Sequence, residues 1–199
     1  MKRINEKIIF ILANLIFTYI IWYCIKTNFH YYIADSIIFI ILTACLFVFY
    51  KQCRLDAVTF FMIVFAFTLH DLGAFRFYAN PPLPFEWDIV THVVGIFAAT
   101  LFLYNIIVDL AKKKHHSYVL FVVVLAGLGA GVLIEFLEFY GFMTAGFGEG
   151  FLGRGFGDFD PAIVSSDYID TIQDLFWNFI GATAAFVVGF FREKRLRRR

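Results

Sequence analysis

The sequence predicts an all-α, polytopic membrane bundle of about six transmembrane helices, and three observations predict it. The 199-residue chain is 61% hydrophobic with a mean hydropathy of +0.76, against roughly 45–50% apolar residues in a soluble domain. The apolar residues form continuous runs of about twenty, the length a hydrocarbon core requires, without the alternation of a β-barrel strand. Basic residues, finally, collect at the termini and in every second connection, the pattern of a chain that crosses and recrosses a bilayer. No stretch is left for a separate soluble unit, so residues 1–199 read as a single integral membrane domain.

The spans fall at about 8–25, 34–50, 57–75, 88–110, 118–143 and 170–191, with a basic tail over 192–199. Lys2-Arg3 before an apolar run resembles a signal peptide, but Ile8 to Ile25 is long enough to span and no small-x-small cleavage site follows. It is read as an uncleaved first helix. Spans 1 and 2 are bland, with Asn14, Thr18 and Thr43 as isolated polar groups, which suits packing. The loop between them, with His30, Tyr31, Tyr32 and Asp35, looks interfacial, its tyrosines fitting an aromatic belt. Cys24, Cys45 and Cys53 are odd in number and contain no C-x-x-C; Cys24 and Cys45 lie in apolar runs and read as small core residues.

Span 3 ends with His70-Asp71 and Arg76, and Asn80-Pro-Pro-Leu-Pro84 stiffens the chain into a defined turn. Span 4 opens with Trp87-Asp88 and continues through Thr91-His92, Gly95 and Ala99. Asp88 and His92 are i,i+4 neighbours on one face. In span 5, Gly127, Gly131, Glu135 and Glu138 form a stripe, its glycines at the G-x-x-x-G spacing that lets helix backbones approach. Span 6 carries Asp167, Asp170, Asp174, Asn178 and Gly181 along one stripe, with Ala185 deeper. Spans 4 to 6 thus share one design: small residues in one half, acids or histidine in the other. Matching seams are expected to pack and bring the acids into one pocket.

Orientation follows from charge. Lys2, Arg3, Lys7, Lys51, Arg54, Lys112, Lys113, Lys114, Arg192, Lys194, Arg195, Arg197, Arg198 and Arg199 lie on one side, fourteen of the seventeen lysines and arginines. Only Lys26, Arg76 and Arg154 lie opposite. The positive-inside rule therefore predicts cytoplasmic N- and C-termini in the inner (plasma) membrane. The Lys112–Lys114 run and the tail read as membrane-surface anchors, and no nucleic-acid partner is expected.

The expected pocket comprises His70, Asp71, Asp88, His92, Glu135, Glu138, Asp167, Asp170, Asp174 and Asn178. At about 1.5 Å per residue it falls in the outer leaflet, near Glu138 and Thr171 at the hydrocarbon boundary. Carboxylates there are costly unless partnered. Either some hold protons and pair with Arg76, Arg154 and the histidines, or a divalent cation sits among Asp88, His92, Glu135, Asp170 and Asp174. The Gly/Phe-rich loop over 145–160, with Asp158 and Asp160, reads as an interfacial flap; it lacks the strand and lysine of a phosphate-binding loop.

Glu135-Phe-Leu-Glu138-Phe, Phe151-Leu-Gly, Gly157-Asp158, Asp170-Thr-Ile-Gln-Asp174-Leu and Gly181-Ala resemble the YjdF-like family of bacterial inner-membrane proteins, as does Trp87-Asp88-Ile-Val-Thr-His92. Asp174-x-x-x-Asn178-x-x-Gly181 is similar to the end of VanZ-like proteins, one of which is linked to teicoplanin resistance. The resemblance covers about residues 65–190 and implies an envelope setting without implying a reaction.

Three functional readings follow. In the first, the outward pocket binds a polar ligand, lipid headgroup or structural cation. In the second, a metal-dependent hydrolase cleaves a lipid-linked ester or phosphate, with Glu138 or His70 as the catalytic base and water attacking, since no serine or cysteine lies in the pocket. The third is proton- or cation-coupled transport, which the Gly, Ala and Phe below the acids disfavour.

Overall fold

The computed structural model describes residues 4–110, 116–146, 148–150 and 166–196, and their regular structure is all helical. The helices are α1 (Ile4–Thr27), α2 (Tyr31–Val48), α3 (Ala57–Asp71), α4 (Trp87–Leu110), α5 (His116–Ala145) and α6 (Ser166–Leu196), and a 3₁₀ turn, Leu72–Phe75, extends α3. Among the described residues, six helices are long and apolar enough to cross a membrane. Six crossings place both ends of the chain on one side, here called the terminal side; the opposite side is called distal. The helix ends lie within a few residues of the sequence expectation; α2 begins at Tyr31, which puts Asp35 in its second turn, not at its start.

The helices pack as two groups of three. α1 lies against α2 and α3, α5 and α6 lie against α4 and each other, and α3 joins the groups by packing on α4. Phe17, Phe39 and Phe60 are buried in the first group, with Phe39 stacked on Phe67 at 4.3 Å. The outer faces expose large apolar side chains such as Ile11, Leu15, Phe121, Phe136 and Phe191, as lipid-facing surfaces do. Asn14 and Thr43 bond their own helix backbone at Phe10 and Phe39. The three cysteines are free; Cys24 is buried, but Cys45 is exposed on the outside of α2, not in the core as its apolar surroundings suggested.

Small residues set the second group. A Cβ at Gly181 would collide with the carbonyl oxygen of Val93, so the α6 backbone lies directly on that of α4. Gly127 leaves room for the Thr100 hydroxyl and Ala182, and Gly131 for the Asn178 amide. The expected seam holds for α5 and α6 but not for α4. Gly95 and Ala99 line a cavity, and a Cβ at Gly95 would meet nothing within 4 Å.

On the terminal side the groups are locked by Asp56. Its carboxylate accepts from the Val58 and Thr59 amides to cap α3, and pairs with Arg192 of α6 at 2.5 Å. Asn105 of α4 also donates to it at 3.1 Å. Burial pushes the Asp56 carboxyl up, but Arg192 and the capping donors outweigh it and hold the group below its ordinary value.

Candidate functional site: two histidine–carboxylate clusters on one cavity

The chain reverses between α3 and α4 through Arg76, which takes a left-handed conformation at φ 67° and closes the 3₁₀ turn onto Gly73. The Trp87 indole N–H then donates to the Leu69 carbonyl at 3.0 Å. This bond fixes the start of α4 beside the end of α3, and with it Asp88 and His92.

His92 is the centre of the first cluster. Its Nδ1 lies 3.1 Å from Asn178 Oδ1 and 4.0 Å from Glu135 Oε1. Its Nε2 lies 3.5 Å from Asp88 Oδ1 and 3.8 Å from Asp174 Oδ1. All five residues are buried. With Asn178 Oδ1 accepting, Nδ1 carries the hydrogen, and Nε2 is turned toward the two aspartates. Asp88, His92 and Asp174 offer ligand atoms within 4.8 Å of one another, and so do His92, Glu135 and Glu138. Polar side chains of α4, α5 and α6 thus meet at one place.

His70 and Asp71 are not part of that cluster. Being on α3, they meet α2 instead. His70 Nε2 lies 3.1 Å from Asp35 Oδ2, and Nδ1 lies 3.2 Å from the Tyr78 hydroxyl. Ser36 donates to Asp71 Oδ2 at 2.6 Å. The expected single pocket is therefore two clusters, because α3 packs with the first three helices. Next to the second cluster, Tyr32 donates to Glu149 at 3.2 Å, and Arg76 reaches the same carboxylate at 3.4 Å while stacking over Phe29. Burial raises the Glu149 carboxyl above its ordinary value, against the opposing pull of Tyr32 and Arg76.

Asp170 is half-buried one turn distal of Asp174 and lies outside the ligand-distance groups formed by the described residues. The side chain of Asp167 and residues Arg154, Asp158 and Asp160, like most of the expected flap, lie outside the described residues. Sequence reading missed Asp35, Ser36, Tyr32, Tyr78 and Glu149. Tyr32 is buried, not interfacial. The signal lay in Asp35: an acid inside a span of mean apolar character marks a buried partner, and starting the span at residue 34 put it at the edge.

The two clusters face one cavity of about 370 Å³. Its distal end is lined by His70, Tyr78, Asp88, His92, Glu138 and Glu149. Its deeper part is lined by Leu46, Ile63, Phe67, Ala98 and Phe102. The floor is α4, flanked by α3 and α5, which do not touch each other among the described residues. Chemically, the distal end offers carboxylates, imidazoles and hydroxyls to an amine, a hydroxyl-rich group or a divalent ion, while the deep end offers only apolar surface.

A family model described as "Predicted membrane protein (DUF2238)" matches residues 8–195. The chain belongs to this family. The match contains all of the residues of both clusters. No curated protein and no solved structure matches the chain.

Proposed function

We propose that this DUF2238 protein resides in the inner (plasma) membrane with cytoplasmic termini and binds the polar headgroup of an envelope amphiphile in the outer leaflet. Supporting this reading is the two-ended cavity: carboxylates, imidazoles and hydroxyls at the distal end, apolar side chains beneath. The basic terminal side supports the orientation. Asp88 to Phe102 spans about 21 Å at about 1.5 Å per residue, room for an alkyl or prenyl chain beside α4. A carboxylate-lined mouth favours a head bearing amines or hydroxyls over a bare phosphate. The YjdF-like and VanZ-like resemblances fit the same envelope setting. The apolar deep end weighs against coupled ion transport.

The test is lipid retention. Protein purified in mild detergent is expected to carry one amphiphile, seen by native mass spectrometry. Gly95→Phe, whose side chain points into space empty of neighbours, is expected to displace it while leaving the helical spectrum and elution volume unchanged. Wild type without bound lipid, or Gly95→Phe with as much as wild type, overturns the reading.

A second reading is favoured by one observation, the ligand-distance group Asp88, His92 and Asp174. A divalent ion there would polarise a lipid ester or phosphate and activate water, with Glu138 on the cavity wall as base. Metal-dependent release of a headgroup, lost in His92→Ala, is the expected outcome, and no turnover across lipid phosphates and esters speaks against it.

A further inference from the structure

We infer that Asp35, His70 and Asp71 form a separate site for a divalent transition ion of the Mn²⁺ or Zn²⁺ class. Their ligand atoms lie within 4.8 Å of one another, on α2 and α3, away from the His92 cluster. A cluster of acids alone would not carry this, but Asp71 adds an independent observation. Its side chain is 0% exposed, and its Oδ1 is buried with no hydrogen-bond partner among the described residues. Such a lone pair, buried in a membrane helix, is costly unless a cation or donor meets it. The other carboxylate oxygen is held by Ser36 at 2.6 Å, the outer-shell bond that orients a ligating carboxylate.

The imidazole is prepared in the same way. Tyr78 lies 3.2 Å from His70 Nδ1. If Nδ1–H donates to the tyrosine oxygen, the Nε2 lone pair is left toward Asp35 and Asp71, the usual arrangement of a ligating histidine. Gly150 packs closely on Asp35: a Cβ there would lie 2.7 Å from Asp35 Oδ2, so any side chain at 150 would crowd that oxygen. One imidazole with two carboxylates suits Mn²⁺ or Zn²⁺ over Ca²⁺ or Cu⁺. A divalent ion also balances two buried carboxylates that share a single imidazole. His70 lines the cavity, which gives the ion an entry path.

The experiment uses the full chain in detergent, stripped with chelator, in a His92→Ala background that removes the ligand shared by both groups of the His92 cluster. Equilibrium dialysis against Zn²⁺ is expected to show one ion per chain. Adding Asp71→Asn, which keeps the Ser36 hydrogen bond, is expected to weaken binding at least tenfold. Should that variant not fold, Tyr78→Phe is expected to weaken it severalfold through loss of imidazole orientation. X-ray absorption of the loaded His92→Ala protein is expected to show one imidazole and oxygens at about 2.0–2.2 Å. No ion bound in the His92→Ala background, unchanged affinity in a folded Asp71→Asn or Tyr78→Phe variant, or a shell without imidazole overturns the proposal. Because lipid retention is read separately, its failure and the failure of this site are distinguishable.

Discussion

Gly181 and Gly95 face one another's helices in the sequence pattern, yet they do opposite work. At Gly181 a methyl group strikes the Val93 carbonyl, a backbone atom that cannot rotate away. Gly181→Ala is expected to cost about 1–3 kcal/mol, the range of overpacking, in reversible SDS unfolding. At Gly95 the same methyl meets open cavity, so Gly95→Ala is expected to be neutral or to stabilise α4 by up to about 1 kcal/mol. Equal effects at the two positions would contradict the packing described here. Asn178 gives the third residue-scale expectation. It is fully buried and bonded to His92, so Asn178→Ala is expected to cost about 1–2 kcal/mol and to free the His92 ring, read as altered imidazole resonances in NMR.

At the scale of elements, one carboxylate ties α3, α4 and α6 together on the terminal side. Asp56 titrates below its ordinary value because Arg192 and the capping donors favour the charged form despite burial. An acid whose folded value is depressed contributes stability above its unfolded value, about 3.9, and loses that contribution as pH falls through the folded one. Melting temperature in detergent is therefore expected to fall as pH drops below about 4. Asp56→Asn keeps a capping acceptor but not the ion pair, so its melting curve is expected to be flatter over the same window. A wild-type profile as flat as that of Asp56→Asn would show that the lock contributes nothing.

At the scale of the molecule, the cavity lies where the two three-helix groups meet along α3 and α4. Both groups place their histidine–carboxylate clusters at the distal end, so one cavity is bordered by both histidines. Sidedness is testable with reporter fusions. A fluorescent protein at the C-terminus is expected to mature, and alkaline phosphatase there to stay inactive, if the proposed orientation with the basic side in the cytoplasm holds. The reverse result would turn the cavity mouth inward and remove the outer-leaflet reading.

The class of the protein and its six helices were determined by sequence alone, and helical spacing put Asp88, His92, Glu135, Asp174 and Asn178 on the inward stripes of α4, α5 and α6 together with other polar residues that the structure places elsewhere. Hydrophobic length and helical spacing are local properties, and each of those acids lies on a stripe with glycine, so its own helix shows which way it faces. Tertiary structure alone decided that His70 and Asp71 meet Asp35 and Ser36, that Gly95 borders empty space, and that Arg192 reaches Asp56. Those depend on which helices are neighbours, and in a bilayer, where every helix is apolar enough to face lipid, neighbour choice rests on close packing and a few hydrogen bonds between residues far apart in the chain. The costly carboxylate stripe of α6 thus has its partners in α4 and α5, while the acids of α2 and α3 answer to each other.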